Sequence, residues 1–542
     1  MGMQKKTTLA KGAFILGAAG LLCSLIGSLY RILLADAVGT SGMAYYQVAY
    51  PIYGLLTVVA TAGIPAAISK RVSEYVAQDD YRSAHHFFRN SFRILTLVGI
   101  AATAIMALGS GLLAHIQGVP AGRLPILTIA PSFLLSALLS AYRGYFQGLQ
   151  QMEPTAWSQL VEEVAKFAIG YLLARLWLGK GSVWAAVGAL LGIPLSELLA
   201  LVFLKYKYDQ ALPDLRKQIR QSAHTHQPLA SGSEVAHDLW KQALPITLGA
   251  VVLPLVTLVD NVMVVNVLKS IGFSQQMAEI RFGILTGFVS PVVYVPVALS
   301  QALQVSLVPA IAASASLQRP HEVEQNASIA LKLAMVVGLP CAVGLFLLGT
   351  PLLQCIFPSL IQDVDGMAAA SGLMMVLSIG VLFLILAQTA TGILQGIGFP
   401  QLPVRHLLFG TAVKVLVSWF LLRIPGMNVV GAGLGTLACF LVAAVMNLHS
   451  VHRIVQLPIR AKDWLIRPLW MTALMGTIAY GVYRAMCTFA PLWLAVAAGI
   501  LLGAACYLLI GLRFGAINSE DCRFLPGGHK LDYAMRSIGW WR

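Results

Sequence analysis

Four ionisable side chains stand well inside long apolar runs of this sequence, where they could do chemistry. They are Arg31, Lys166, Asp260 and Lys414. A charge in hydrocarbon is costly, so each of these groups is expected to face a partner or a water-filled cavity. A guanidinium or ammonium group out of water binds phosphate oxygens strongly. The set therefore indicates a site for an anion, with Arg31 and Lys166 as its candidate ligands.

Two glutamates offer Lys166 an alternative partner. Glu162 lies four residues before Lys166 and Glu163 lies three residues before it, so all three share one side of a helix. A local ion pair is therefore an alternative to anion binding. Lys414 has no carboxylate within four residues on its own run. Asp260 is its main candidate partner, either in an internal ion pair or in a cation site.

No motif for enzyme chemistry accompanies these charges. The sequence has no Walker loop, no His-Glu-x-x-His and no cysteine pair at metal-ligand spacing. We therefore predict a protein that is not an enzyme and that uses no cofactor and no metal site. The formal net charge of +15 comes without an aromatic and basic surface, so nucleic acid is not an expected partner. Anionic lipid headgroups account for the charge instead.

The elements that must position these residues are membrane-spanning helices. Hydrophobic residues make up 58% of the chain, charged residues make up 11%, and the mean hydropathy is +0.77. Apolar runs of about 20 residues recur from end to end, and in lipid such runs must be helical. We predict an all-α integral membrane protein with about 14 spans, at 10–35, 43–70, 92–116, 124–148, 155–178, 182–204, 240–267, 279–313, 329–356, 367–396, 401–423, 427–450, 465–488 and 490–512.

The loops between these spans predict the orientation of the chain. Alternate loops are strongly basic, at 70–93, 205–220 and 453–467, whereas the loops between them carry few lysines and arginines. Basic loops stay in the cytoplasm. We therefore expect both termini to be cytoplasmic.

The pattern Gly-x-x-Gln-Gly occurs twice and reveals an internal repeat. The matching residues, each pair 248 positions apart, are Gly144 and Gly392, Gln147 and Gln395, Gly148 and Gly396, and Lys166 and Lys414. The match relates the first six spans to the next six, and an even number of spans gives both copies the same orientation. A parallel duplication of this kind is a transporter architecture, with a substrate cleft between two halves that rock against each other.

The repeated motif itself predicts close helix packing. Its glycines are four residues apart, so they lie on one face and let a neighbouring helix approach, while the glutamine can hydrogen-bond across the contact. We interpret the six motif residues as a packing hinge rather than as substrate ligands.

The predicted domains follow from the repeat. They are an N-terminal six-helix lobe at 1–204, a cytoplasmic linker at 205–236, a C-terminal six-helix lobe at 237–453, two further helices at 454–513 and a basic cytoplasmic tail at 514–542.

Three long segments carry a family resemblance over essentially the whole chain. They are SLYRILLADAVGTSGMAYYQVAYPIYGLL, GIPAAISKRVSEYVAQDDYRSA and TGILQGIGFPQLPVRHLLFGTAVKVLVSWFLL. Together they resemble the polysaccharide-biosynthesis branch of the multidrug/oligosaccharidyl-lipid/polysaccharide (MOP) exporter superfamily, and within it the sporulation and lipid II flippase members of Gram-positive bacteria.

This resemblance implies a flippase in the bacterial cytoplasmic membrane. Its substrate would be an undecaprenyl-pyrophosphate-linked saccharide, such as lipid II, for cell-wall or spore-cortex synthesis, and its partners would be this lipid-linked oligosaccharide, membrane lipids and cell-wall polymerases. By the same resemblance Arg31 contacts the pyrophosphate, and helices thirteen and fourteen border a groove for the lipid tail. Asp260 resembles an acid of a sodium site, but Lys414 stands near the place of another sodium ligand and argues against sodium.

A drug or metabolite antiporter on the same fold is the alternative function. It would need an acidic proton or sodium site that faces a cavity for organic cations. A membrane glycosyltransferase is disfavoured, because the predicted external loops are too short to hold a catalytic site.

Overall fold

The computed structural model describes residues 2–61, 63–221, 229–361, 364–424, 426–457 and 462–513, together with Tyr533 and Ser537. Of the predicted basic tail at 514–542, only Tyr533 and Ser537 are described. Residues 222–228 of the predicted linker also lie outside the described ranges. Within the described ranges the regular structure is helical and contains no strand.

Seventeen α-helices occur in the described part of the chain. Their bounds are α1 (Gly2–Thr61), α2 (Gly63–Ala77), α3 (Tyr81–Ile116), α4 (Arg123–Ile129), α5 (Ser132–Gly148), α6 (Glu153–Trp177), α7 (Ser182–Gln221), α8 (Gly232–Ser270), α9 (Gln275–Gly283), α10 (Ser290–Ser316), α11 (Pro320–Ile356), α12 (Pro358–Ile361), α13 (Val364–Gly396), α14 (Gln401–Leu421), α15 (Val429–Val455), α16 (Arg467–Met486) and α17 (Leu492–Arg513). Short 3₁₀ segments precede α4 and α7, and π-helical segments precede α10 and α16.

The all-α membrane class is confirmed. Among the described residues, 10 helical stretches are long and apolar enough to cross a bilayer. The count of 14 spans stays a prediction. Helices α6, α8 and α16 are 25, 39 and 20 residues long but lie outside those 10.

The first helix is broken between the predicted spans at 10–35 and 43–70. Helix α1 consists of two helices that meet at Gly39, whose backbone is not helical and whose φ of 70° lies in the left-handed region. Glycine adopts this conformation without a steric penalty, so the chain changes direction there. The break separates Arg31 from Tyr50.

Much of the predicted linker is helical. Helix α7 extends to Gln221, beyond the span predicted to end at residue 204, because apolar contacts hold the extension. Leu215 is 5% exposed in a hydrophobic cluster, and the ring of Tyr208 stacks on His85 with centroids 6.2 Å apart. These contacts outweigh the polar composition of the segment.

The helices form two compact units. The first comprises Met1–Asn266 and Gln275–Glu279, and the second comprises Val267–Ser274 and Ile280–Arg542. Helix α8 opens the second copy of the sequence repeat, yet it belongs to the first unit as far as Asn266.

An ion pair ties the start of α8 to α2 within the first unit. Arg71 Nε donates a hydrogen bond to Asp238 Oδ2 at 3.1 Å, and Arg71 Nη1 donates one to Glu74 at 2.9 Å. The hydrogen bond to Asp238 raises the pKa of Arg71, so the arginine side of this contact stays charged.

The duplication is visible in the backbone packing inside each unit. A Cβ atom added at Gly188 would lie 2.7 Å from the backbone of Leu173, and one added at Gly431 would lie 2.6 Å from the backbone of Leu421. Leu173 and Leu421 are 248 residues apart (421−173), which is the offset of the sequence repeat. The contacting glycines are 243 residues apart (431−188), so the second copy is five residues shorter between these two helices. With that deletion, α6 and α7 in the first unit and α14 and α15 in the second pack through equivalent glycines.

A second glycine of α7 yields a test of this packing. A Cβ at Gly192 would lie 2.5 Å from the Cα of Gly170, so Gly192→Val must push α7 away from α6. We expect the unfolding midpoint in detergent to fall, with a loss of about 1–3 kcal/mol or more, the scale of overpacking. The readout is thermal unfolding followed by size-exclusion chromatography.

Gly109→Val on α3 is the matched control, because no other side chain or distant backbone atom lies within 4 Å of the added Cβ. The control should unfold close to the wild-type midpoint. Equal midpoints for both variants would contradict the close contact of α6 and α7.

Candidate anion-binding site

Ionisable side chains inside the first unit lie on four helices. They are Arg31 on α1, Arg143 on α5, Glu162, Glu163 and Lys166 on α6, and Glu197 on α7. Close approach of α6 and α7, through Gly170 and Gly192, positions the last two of these helices against each other.

Arg31 is the cation of this group that no carboxylate holds. Its Cζ lies 4.6 Å from the ring centroid of Tyr50, whose ring is stacked on Tyr46 at 5.1 Å. Among the described residues Arg31 forms no ion pair within 4.0 Å. A cation–π contact is worth about 0.5–2 kcal/mol and does not neutralise the positive charge of the guanidinium.

Lys166 does have a carboxylate partner. Its Nζ lies 2.7 Å from Glu163 Oε2, so the local ion pair left open by the sequence is present, and Glu163 rather than Glu162 forms it. The two side chains are only 11% and 15% exposed. Lys166 can contribute to anion binding only in competition with this carboxylate.

Arg143 is a cation of the site that sequence reasoning missed. Its Nη2 lies 2.7 Å from Glu162 Oε2, and its Nε donates to Ser158 Oγ at 3.0 Å. Arg143 stands beside the repeated glycine motif, near the predicted end of a span. Its pairing with Glu162 depends on the antiparallel return of α6, which spacing along one helix does not show.

Glu197 is the second residue that was missed. It is 1% exposed on α7, and its Oε1 accepts hydrogen bonds from Tyr53 at 3.0 Å and from Ser136 at 2.6 Å. In the described structure it forms no ion pair. The sequence did contain a signal for this residue, since it is a lone glutamate 15 residues inside an apolar helix (197−182). Its hydroxyl partners join α1, α5 and α7 around one carboxyl group.

The first copy of the glycine motif lies against α2. A Cβ at Gly144 would be 2.9 Å from the Pro65 carbonyl oxygen, and one at Gly148 would be 3.0 Å from that of Ser69. The side chain of Gln147 is half-buried. These distances leave no room for side chains on this face of α5.

The second copy of the motif ends α13. Gly392 is buried, Gly396 is half-buried and Gln395 is exposed. A hinge role for either copy stays a prediction.

Asp260 and Lys414 belong to different units. Asp260 is 9% exposed on α8 in the first unit, and Lys414 is 1% exposed on α14 in the second. Their pairing, and a cation site formed by them, remain predictions.

A hydrogen-bond network occupies the corresponding positions of the second unit. His406 Nδ1 lies 2.7 Å from Asn447 Oδ1, and Asn447 donates to Thr391 at 3.1 Å. His406 and Thr391 correspond by the repeat offset to Ser158 and Arg143 of the first unit (158+248, 143+248). The duplicated positions therefore carry an ion pair in one unit and a hydrogen-bond network of histidine, asparagine and threonine in the other.

No group of three or more His, Cys, Asp or Glu side chains that could hold a metal ion occurs among the described residues.

The two duplicated helical units with buried charges define a multi-spanning membrane protein of transporter fold. An inward-facing multidrug resistance MATE family transporter of the MOP superfamily has this fold, with a TM-score of 0.64 and 14% identity over 80% of this chain and 94% of its own. The lipid II flippase MurJ in an inward closed conformation matches with a TM-score of 0.65 and 16% identity over 92% and 98%.

Residues 9–315 match the polysaccharide biosynthesis protein family, and the chain belongs to that family within the MOP superfamily. Residues 245–420 also match the MatE family. The chain is 25% identical to stage V sporulation protein B of Bacillus subtilis (strain 168), over 96% of this chain and 98% of the relative. It is also 25% identical to the lipid II flippase MurJ of the same organism, with the same coverage. The resemblance predicted from the sequence is confirmed.

The Arg143 and Glu162 pair can be tested by a double-mutant cycle. We expect Arg143→Gln alone to lower the thermal unfolding midpoint, because it leaves the carboxylate of Glu162 mostly buried and unpaired, at a cost of about 3–5 kcal/mol. The double variant Arg143→Gln/Glu162→Gln should recover most of the loss.

The exposed pair of Lys205 and Asp209, whose side chains are 65% and 52% exposed, is the control for this cycle. Its coupling energy should be at most about 1 kcal/mol. Additive effects of the two substitutions at Arg143 and Glu162 would contradict the ion pair.

Proposed function

We propose that this protein is a flippase for an undecaprenyl-pyrophosphate-linked saccharide, lipid II or a related peptidoglycan precursor. It moves this lipid across the bacterial cytoplasmic membrane by alternating access, in cell-wall or spore-cortex synthesis. Relatives along nearly the whole chain support the proposal, since one is named a lipid II flippase and another a sporulation protein. Both termini face the cytoplasm in this proposal, as the basic loops predict.

The observation that carries the proposal is the state of Arg31. Its guanidinium is half-buried against the ring of Tyr50, with no carboxylate partner within 4.0 Å in the described structure. A guanidinium presents a planar fork of donors that matches phosphate oxygens. An anionic headgroup supplies the negative charge that would pair with this guanidinium.

The phosphate-binding role explains why the first unit is charged. The substrate headgroup joins two negatively charged phosphates to a polar saccharide, and it needs cations that are held away from competing water. Arg31 supplies the initial contact, and Lys166 lies on the neighbouring helix α6. The polyprenyl tail needs no such site, because it is as apolar as the lipid around it.

A drug or metabolite antiporter is the second candidate function. The MatE match at residues 245–420 and the fold of the MATE transporter favour it. Drug-susceptibility assays separate the two functions. A flippase for lipid-linked saccharide should leave the minimal inhibitory concentrations of cationic drugs unchanged on overexpression, whereas an antiporter should raise them.

Arg31→Ala is expected to abolish rescue of a bacterial strain depleted of its lipid II flippase. A charge-assisted hydrogen bond contributes about 1.5–3 kcal/mol, so binding of the headgroup should weaken by at least about tenfold. The measurement is growth together with the amount of lipid II left in the inner leaflet, detected with a probe for outer-leaflet lipid II.

Arg31→Lys should restore part of the activity, since it keeps the positive charge but loses the fork of donors. Arg175→Ala, which removes an exposed arginine of α6, should rescue fully. Complete rescue by Arg31→Ala at equal membrane abundance would exclude Arg31 from the mechanism.

A further inference from the structure

We propose that Glu163 is a resident anion of this site. Its carboxylate holds Lys166 while the site is empty and gives way when a diphosphate binds. The inference rests on the proposed function, because it concerns the same site and adds the competitor that the substrate must displace.

The position of Glu163 between two helices is the first argument. Oε2 of Glu163 lies 2.7 Å from Lys166 Nζ. Oε1 lies toward α1, because a Cβ atom added at Gly27 would be 2.6 Å from it. Gly27 stands one turn before Arg31 on the same face of α1. The carboxylate thus lies between Lys166 and the face of α1 that carries Arg31.

The balance of charge is the second argument. Arg31, Lys166 and Glu163 together carry one excess positive charge, whereas a doubly esterified diphosphate carries one negative charge on each phosphate. With Glu163 still in place, a bound diphosphate would leave a negative excess among groups that are largely shielded from water, where like charges repel strongly. Once the carboxylate moves away, the two cations balance the two phosphates. Substrate and Glu163 therefore compete for Lys166.

The duplicated half of the chain provides an internal comparison. Lys414 is the counterpart of Lys166, and it is 1% exposed. The counterpart of Glu163 is Thr411 (163+248), whose hydroxyl donates to the Leu407 carbonyl oxygen at 2.7 Å. The second unit therefore has a threonine, not a carboxylate, three residues before its buried lysine. The carboxylate at this repeat position thus occurs in the first unit, which also contains Arg31.

An exchange of partners also explains how a tight site releases its substrate. The ammonium group of Lys166 exchanges a carboxylate oxygen of Glu163 for a phosphate oxygen, so the poorly hydrated lysine always has an anionic partner. When the carboxylate returns, it displaces the phosphate. Glu163 should therefore speed dissociation of the substrate.

Binding of lipid II, whose diphosphate is esterified at both ends, to the full-length protein in lipid nanodiscs tests the inference. We expect Glu163→Gln to lower Kd by about tenfold, chiefly through slower dissociation, the usual origin of affinity changes within one site. Undecaprenyl alcohol, which lacks the phosphates, should bind wild type and variant alike. If the ion pair had only a structural role, its loss would weaken binding.

Two further variants separate competition from a local structural effect. Gly27→Ala keeps the carboxylate but places a methyl group against Oε1, so Glu163 must move, and Kd should fall in the same direction. Glu153→Gln removes an exposed carboxylate in the first turn of the same helix, and it should leave binding unchanged.

The outcomes also separate this inference from the proposed function. The resident-anion inference is overturned if neither Glu163→Gln nor Gly27→Ala binds the substrate more tightly than wild type. If Arg31→Ala still binds more weakly in that case, the flippase proposal stands. Binding by Arg31→Ala that equals wild type overturns the proposed site itself, and the inference fails with it.

Discussion

Compensation of charge inside an apolar helical bundle is the constraint on which this structure depends. A charged side chain among helices in lipid must find an opposite charge, hydrogen-bond donors or an aromatic face. Arg143 and Lys166 form ion pairs with two consecutive glutamates of α6, and Glu197 accepts hydrogen bonds from two hydroxyl groups. Arg31 lies against the ring of Tyr50 and has no ion-pair partner within 4.0 Å among the described residues, and this difference singles it out as the group with capacity for an external anion.

Duplication supplied the scaffold, and the two copies then diverged in chemistry. Equivalent glycines bring α7 against α6 and α15 against α14, so the backbones of the two units use the same close contacts. The polar positions on that backbone differ. The first unit places arginine and serine where the second places threonine and histidine. Packing through glycine is tolerant of such changes because it relies on backbone contact rather than on the polar side chains.

The candidate site could be predicted only where its contacts are local. The ion pair at Lys166 was an open alternative because its members lie within one helical turn of each other. The pairing of Arg143 with Glu162 crosses two antiparallel helices, and the partners of Glu197 come from helices far apart in the chain. The break at Gly39 lies between the first two predicted spans, whereas the left-handed backbone conformation that makes it is visible only in the structure.

The sequence by itself determined the membrane class, the duplication and the family, because these depend on the length and periodicity of apolar runs and on residue order. It also determined which charges would be costly to bury. The tertiary structure alone decided which partner each charge receives, since that depends on which faces of α1, α5, α6 and α7 meet. Long-range helix packing sets those faces, and the hydrophobic pattern of a helix that is apolar on nearly every side does not specify them.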